Sequence, residues 1–134
     1  MSPYENHDHG ASELRTNYAY LFDVVVRIYK LYHQNEKVAT RYETVVELTQ
    51  KLYSEGIFDD YIFESLKAVY KLYPTLLPGV VQKGYEENKE KEIAQLNKLY
   101  ELLTMTQSDL SQLFHDILVE DRDRFREDWI RRNY

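Results

Sequence analysis

The chain has no cysteine, and this absence excludes disulfide bonds, thiolate metal ligands and cysteine nucleophiles. It also has no Gly-rich phosphate-binding loop, no nucleophile elbow and no His-Glu-x-x-His pair, so the common catalytic signatures are missing. Long apolar runs are missing too: the stretch 18–26 contains Asp23 and is far shorter than the roughly 20 residues that cross a bilayer. Because the first residues also lack the pattern of a signal peptide, we expect a cytoplasmic (or nuclear) protein without a membrane span.

The composition is that of a soluble globular domain. The 134 residues are 43% hydrophobic and 30% charged, which supports one domain with a hydrophobic core. We expect residues 1–10, which lack periodicity, to form a flexible tail and residues 11–134 to form the domain. The formal net charge is -6, so nucleic acids and anionic membrane surfaces are disfavoured as general partners.

A long helix is predicted after Ser12, which can serve as its N-cap. Apolar side chains recur there at alternating steps of four and three, which is the spacing of a helix seam. The seam residues are Leu14, Tyr18, Leu21, Val25, Ile28 and Tyr32. Phe22, Val26 and Tyr29 widen the seam to a broad apolar face, so we expect this helix to be central in a bundle.

Two shorter helices follow the first. The second is expected to end at Gly56, because glycine readily adopts the left-handed conformation found after helix ends. Asp59 or Asp60 can cap the third helix. Pro74 stops that helix, because the residue before a proline is disfavoured in helical geometry.

The remaining sequence predicts two more helices. A fourth helix is expected from about Pro78 to about Leu103, and a fifth after a cap at Thr106 or Ser108. No stretch alternates steadily between apolar and polar residues, which argues against a sheet. The sequence therefore predicts an all-α fold, an antiparallel bundle of about five helices joined by short loops.

The tripeptide Lys-Leu-Tyr occurs four times, each time in the later turns of a predicted helix. There the lysine can meet the negative end of the helix dipole, the leucine can point inward, and the tyrosine can bury its ring while its hydroxyl stays in water. The copies are 30–32, 51–53, 71–73 and 98–100. Their unequal spacing matches no common helical repeat, so we interpret them as independent solutions to ending a helix.

The segment from Glu120 to the end of the chain combines aromatic and arginine side chains. Acidic and basic residues recur there at i,i+4 spacing, which stabilises a solvated helix. Aromatic rings and arginines together are typical of binding hot spots. The predicted partner-binding residues are Arg122, Phe125, Arg126, Trp129 and Ile130. The alternative is that Phe125 and Trp129 cover the end of the bundle while the charged side chains face water.

Two short strings resemble known motifs. The string 106–113 resembles the first helix of many helix-turn-helix repressors, which implies a DNA-binding regulator that uses the helix around 106–119. The string Leu72-Tyr73-Pro74-Thr75-Leu76 resembles the peptides by which viral and fungal proteins bind an ESCRT adaptor. The alternative is that this second string is a helix stop whose Tyr73 and Leu76 pack inward.

One pair of residues has the spacing of a nucleophile and a base. Ser111 and His115 are four residues apart on the predicted fifth helix, close to Asp109 and Asp116. No Gly-rich turn supplies an oxyanion hole beside them. We therefore interpret the pair as the polar edge of an amphipathic helix, and we expect neither a cofactor nor a metal.

The function predicted from these patterns is a non-catalytic helical interaction module. Such a protein acts as an adaptor, inhibitor or assembly factor and binds a protein partner through helix packing, alone or as a homodimer. A DNA-binding regulator and a small helical enzyme or cofactor carrier are the alternatives.

Overall fold

The computed structural model describes the backbone of residues 7–34 and 36–133 and the side chains of 10–34, 36–120 and Arg131. These residues form five α-helices and one 3₁₀ turn, and no strand lies among them. The elements are α1 (His7–Tyr32), α2 (Tyr42–Ser54), α3 (Asp60–Leu72), the 3₁₀ turn (Tyr73–Leu76), α4 (Pro78–Glu87) and α5 (Lys89–Asn133). The predicted all-α helical bundle is confirmed.

Helix α1 is the centre of the bundle, as its broad apolar face predicts. It contacts α2, α4, α5 and the 3₁₀ turn. Its buried apolar side chains are Ala11, Leu14, Tyr18, Leu21, Phe22, Val25, Val26, Ile28 and Tyr29. Of the predicted seam, only Tyr32 in the last turn is exposed.

Helix α1 begins at His7, before the predicted cap at Ser12. Ser12 lies inside the helix and is exposed, whereas the neighbouring Ala11 is buried in the core. This burial holds the first turns of α1 against the bundle. Residues 7–10, predicted as tail, are therefore helical, and residues 1–6 lie outside the described part of the chain.

Helices α1 and α2 run in the same direction. The rings of Phe22 and Tyr42 lie 6.2 Å apart at the start of α2, and the His33 imidazole lies 2.9 Å from the Glu55 carboxylate just after its end. Residue numbers rise together along the two helices, so α1 and α2 are parallel neighbours. The bundle therefore combines parallel and antiparallel neighbours.

Helix α3 runs opposite to α2. The rings of Tyr53 and Phe63 stack with centroids 3.9 Å apart, and the hydroxyls of Thr49 and Tyr70 lie 2.8 Å apart. Residue numbers fall along α2 as they rise along α3, which is the antiparallel arrangement that a short connection requires.

The boundary between α2 and α3 follows the predicted signals. Gly56 has a φ of 78°, and the backbone N–H of Ile57 returns to the carbonyl of Leu52 at 2.9 Å. Asp59 caps α3, because its carboxylate accepts a hydrogen bond from the backbone N–H of Ile62 at 2.8 Å. Both predicted signals are confirmed.

The break between α4 and α5 lies at Asn88, whose backbone is extended with φ -161°. Its side-chain oxygen accepts a hydrogen bond from the backbone N–H of Lys91 at 3.1 Å, so asparagine caps α5. The prediction of a fourth helix to about Leu103 and a fifth from Thr106 or Ser108 is wrong.

Helix α5 continues through the predicted break because its core stripe continues. Leu99, Leu103, Thr106 and Leu110 are all buried at successive helical positions. The Thr106 hydroxyl donates to the carbonyl of Leu102 at 2.9 Å, one turn earlier, so the helix itself satisfies this buried polar group. A polar residue that resembles a cap in the sequence is here a buried residue within the helix.

Three of the four Lys-Leu-Tyr copies lie at helix ends, as predicted. They are 30–32, 51–53 and 71–73, at the ends of α1, α2 and α3. The copy at 98–100 lies well inside α5, because that helix does not end near Leu103.

Candidate docking groove between α4 and α5

Helices α4 and α5 meet at Asn88 and enclose a groove. Val81 is buried and Tyr85 is half-buried, so this stripe holds α4 against the bundle. Leu77, just before α4, and Val80, in its first turn, are 51% and 48% exposed. These two side chains form an apolar edge that faces solvent.

The groove has a volume of about 670 Å³. Leucines from the end of α3 and the first part of α5 form its apolar lining, together with Val80 of α4. Its lining residues are Leu72, Thr75, Val80, Lys83, Gly84, Glu87, Glu92, Gln95, Leu96, Lys98, Leu99 and Leu102. The lining contains no aromatic residue, although the chain has 13 tyrosines.

Gly84 shapes the narrow end of the groove near Asn88. A methyl group at this position would overlap the carboxylate of Glu92. The absence of a side chain at Gly84 therefore leaves room for the Glu92 carboxylate against the backbone of α4.

The charged side chains of the lining are unevenly distributed along the groove. Glu87 and Glu92 lie within about one turn of Asn88. Lys83 faces the same end from α4, so two carboxylates oppose one ammonium group there. Lys98 lies on α5 nearly three turns beyond Asn88, by roughly 3.6 residues per turn. The end near Asn88 is therefore the more negative one.

The partner-binding residues predicted from the sequence belong to the last part of α5. The side chains of Arg122, Phe125, Arg126, Trp129 and Ile130 lie outside the described residues, and their role remains a prediction. Among the described side chains of α5, Ile117 is the last buried one, and those after it are exposed.

The two acidic residues near His115 are hydrogen-bonded to other side chains. Asp109 accepts a hydrogen bond from the Tyr61 hydroxyl at 2.9 Å, and Asp116 accepts one from the Gln112 amide at 2.9 Å. Both carboxylates are thus engaged away from the imidazole. His115 is exposed on the surface of α5, in agreement with its interpretation as part of a polar edge.

The two motif-like strings adopt ordinary structural roles. Residues 106–119 form one uninterrupted helix within α5, without the turn that a helix-turn-helix needs. In the other string, Leu76 is buried, and the Tyr73 ring packs edge-on against the rings of Tyr18 and Phe22. The second string therefore ends α3, and its Tyr73 and Leu76 side chains pack against the helical bundle.

Sequence reasoning missed the groove because its lining comes from three segments. One local signal was available. Leu77, Val80 and Gly84 follow i,i+3,i+7 spacing beside the Val81–Tyr85 stripe, which predicts a second apolar face on a helix that is otherwise polar.

The chain matches no protein family model, no curated protein and no solved structure. Within the described residues, no group of three or more histidine and acidic side chains is placed to hold a metal ion. No helix in that part of the chain combines the length and apolar character that a bilayer span needs.

Proposed function

We propose that this protein is a non-catalytic helical interaction module that binds a protein partner in the groove between α4 and α5. The observation that carries the proposal is the leucine-lined groove with Leu77 and Val80 exposed at its edge. Large apolar side chains facing solvent beside a concave surface are typical of interaction sites. A groove between two helices accepts the apolar face of a third by the same packing that holds a bundle together.

The last part of α5 is a second contact surface in this proposal. The helix continues from Ile117 to Asn133, which corresponds to roughly four turns beyond the last buried side chain described. That length includes Arg122, Phe125 and Trp129, whose residue types are enriched in binding hot spots. A partner bound in the groove and on this segment would contact both ends of α5.

The proposal is tested by quantitative affinity purification from native extract with Val80→Asp. This variant places a carboxylate at the groove edge, and desolvating that charge should weaken an apolar contact by more than about tenfold. Val46→Asp is the matched control, because Val46 is also exposed (37%) but lies on α2. We expect one protein to be retained by the wild type and the control and lost with Val80→Asp, and then to bind directly in purified form. Equal retention by both variants would show that the groove is not the docking site.

The second surface is tested by removing residues 120–134. We expect partner binding to weaken while the helix content of the remaining chain is kept, because the described core ends at Ile117. Unchanged partner binding, together with unchanged mass by light scattering, would exclude the C-terminal segment as a contact for a partner or for a second copy.

A further inference from the structure

We infer that the groove accepts an amphipathic helix with a basic first turn and an acidic last turn, which lies parallel to α5 with its N-terminus toward Asn88. This inference rests on the proposed function, because it names the occupant of the same groove. It follows from the length of the groove, the arrangement of its leucines and the distribution of its charges.

The length of the groove is set by α4. This helix has 10 residues, which corresponds to roughly 15 Å at 1.5 Å per residue. A helix of about three turns covers that distance, so the occupant needs about 11 residues in contact.

The apolar lining suits a helical ligand. Leu96 and Leu99 are buried and line the floor of the groove, and the half-buried Leu102 follows at the same step of three along α5. Val80 faces this row of leucines from α4, and Leu72 lies at the far end of the groove. A ligand helix meets such a row with apolar anchors at i, i+3 or i+4, and i+7.

The charge distribution sets the direction of the ligand. In the lining near Asn88, Glu87 and Glu92 outnumber Lys83, which makes this end the more negative one. Lys98 lies farther along α5. A helix N-terminus carries a partial positive charge and its C-terminus a partial negative one. The favourable orientation therefore places the N-terminus of the ligand beside Glu87 and Glu92 and its C-terminus toward Lys98, parallel to α5.

The charged side chains at the two ends of the groove set the charges of the ligand. Basic residues in the first turn of the ligand would face the two glutamates. Acidic residues in its last turn would face Lys98. The ligand class is thus a protein helix with a leucine-type stripe, a basic first turn and an acidic last turn.

The test uses two synthetic peptides of identical composition and the full-length protein. Both peptides have capped ends, the same apolar stripe and a hydrocarbon staple on the solvent-facing side, which keeps both of them helical. The staple is needed because lysines in the first turn and glutamates in the last turn oppose the dipole of the forward peptide itself. The forward peptide has lysines in its first turn and glutamates in its last turn, and the reversed peptide exchanges them. We expect the forward peptide to bind about fivefold to tenfold more tightly in fluorescence anisotropy, with a difference that shrinks at high salt.

Three variants show whether the preference arises in the groove. Exchanging the two charges with Glu87→Lys and Lys98→Glu should reverse the preference for the forward peptide. Val80→Asp should weaken both peptides, and Val46→Asp should weaken neither. Circular dichroism confirms that each variant keeps the helix content of the wild type.

The outcomes separate this inference from the proposed function. Equal binding of both peptides, or a preference that the charge exchange leaves unchanged, would overturn the inferred direction. If neither peptide binds but a native partner still depends on Val80, the inferred ligand is wrong and the groove remains a docking site. If no native partner depends on Val80 either, both proposals fail. A dimer that light scattering detects and Val80→Asp dissociates would identify a second copy as the occupant and overturn the inference.

Discussion

The α1–α3 side of the molecule and the α4 side are held together differently. Helices α1, α2 and α3 meet through aromatic rings, and several of the tyrosine hydroxyls also form hydrogen bonds between helices. Helix α4 contributes one buried side chain, Val81. The first arrangement combines ring packing with hydrogen bonds between helices. The second leaves a short helix with accessible apolar surface beside those helices. Binding surfaces are commonly drawn from the less tightly packed parts of a protein.

The aromatic contacts on the α1–α3 side also satisfy polar groups. The Tyr18 hydroxyl donates to the carbonyl of Val69, and the Tyr42 hydroxyl donates to the carbonyl of Tyr70 at 3.0 Å. Both acceptors belong to the backbone of α3, so two tyrosines from other helices fix its position. The cost of burying a polar hydroxyl is thereby offset while the rings fill the core.

The α4 side is attached by contacts of another kind. The Arg15 guanidinium donates to the carbonyl of Leu76 at 2.6 Å, which attaches the chain just before α4 to α1. Within α4, the Gln82 amide donates to the Glu86 carboxylate at 2.8 Å on an exposed surface. An exposed pair of this type adds little stability, whereas the buried Val81 packs against the bundle.

The sharpest test of this difference compares Val69→Ala with Val81→Ala, which remove the same atoms. Val69 is fully buried in α3, and its truncation should lower the free energy of unfolding by about 2–3 kcal/mol because it leaves a cavity in a close-packed core. Val81 is also buried but lies in α4 beside the groove, where the surroundings can close more easily, so Val81→Ala should cost about 1–2 kcal/mol. Urea unfolding measures both values. Equal losses would show that the two sides are packed equally well.

Alkaline pH should act on the α1–α3 side. Burial raises the pKa of the Tyr18 and Tyr70 hydroxyls above the ordinary value of 10, and the hydrogen bond to Glu36, followed by burial, raises the pKa of Tyr29 to about 12. In each case the folded state favours the neutral form. This stabilisation is fully present below pH 10 and is lost as the pH rises from there through the folded pKa values. Unfolding should therefore begin above pH 10.

The measurement follows tyrosinate absorbance together with far-ultraviolet circular dichroism as the pH rises. Tyr29→Phe should reduce the loss of stability between pH 10 and about 12, because this variant removes the group that must ionise on unfolding. Tyr20→Phe changes an exposed ring and is the matched control. A Tyr29→Phe protein with the pH dependence of the control would contradict the assignment.

The fold was largely predictable because its main signals are local. The seam from Leu14 to Ile28, the glycine at 56 and the cap at Asp59 each depend on residues close in sequence. The break at Asn88 was missed because Thr106 and Ser108 are also residues that cap helices. The helix continues through Thr106 because this residue is buried in a continuous apolar stripe. Burial depends on the tertiary structure, so the sequence alone could not show that the break lies at Asn88.

The candidate site was less predictable than the fold. Leu72, Leu96 and Leu102 each resemble ordinary core residues in the sequence, and nothing local indicates that together they line a groove. The segment with Phe125 and Trp129 was noticed because its composition is unusual. Composition can thus identify an unusual segment, whereas a concave surface requires the folded chain.

On the α1–α3 side, Tyr70→Phe should lower the stability by a smaller amount. The Thr49 hydroxyl donates to the carbonyl of Val45 at 2.8 Å, so in the pair of hydroxyls it is Tyr70 that donates to Thr49. Removing that donor loses one buried hydrogen bond, which should cost about 1 kcal/mol. Tyr61→Phe removes an exposed hydrogen bond to Asp109 and should cost less. If the two variants lose the same stability in urea unfolding, burial does not strengthen the Tyr70 contact.

The smallest effects concern two glycines within α4. At Gly79 an added methyl group meets nothing within 4 Å, so Gly79→Ala should stabilise the helix by as much as about 1 kcal/mol through its higher helix propensity. At Gly84 the same gain is opposed by the Glu92 side chain, which must move away. Gly84→Ala should therefore stabilise less than Gly79→Ala, and the difference in urea unfolding measures the cost of displacing Glu92. A larger gain at Gly84 would show that the Glu92 side chain moves aside at little cost.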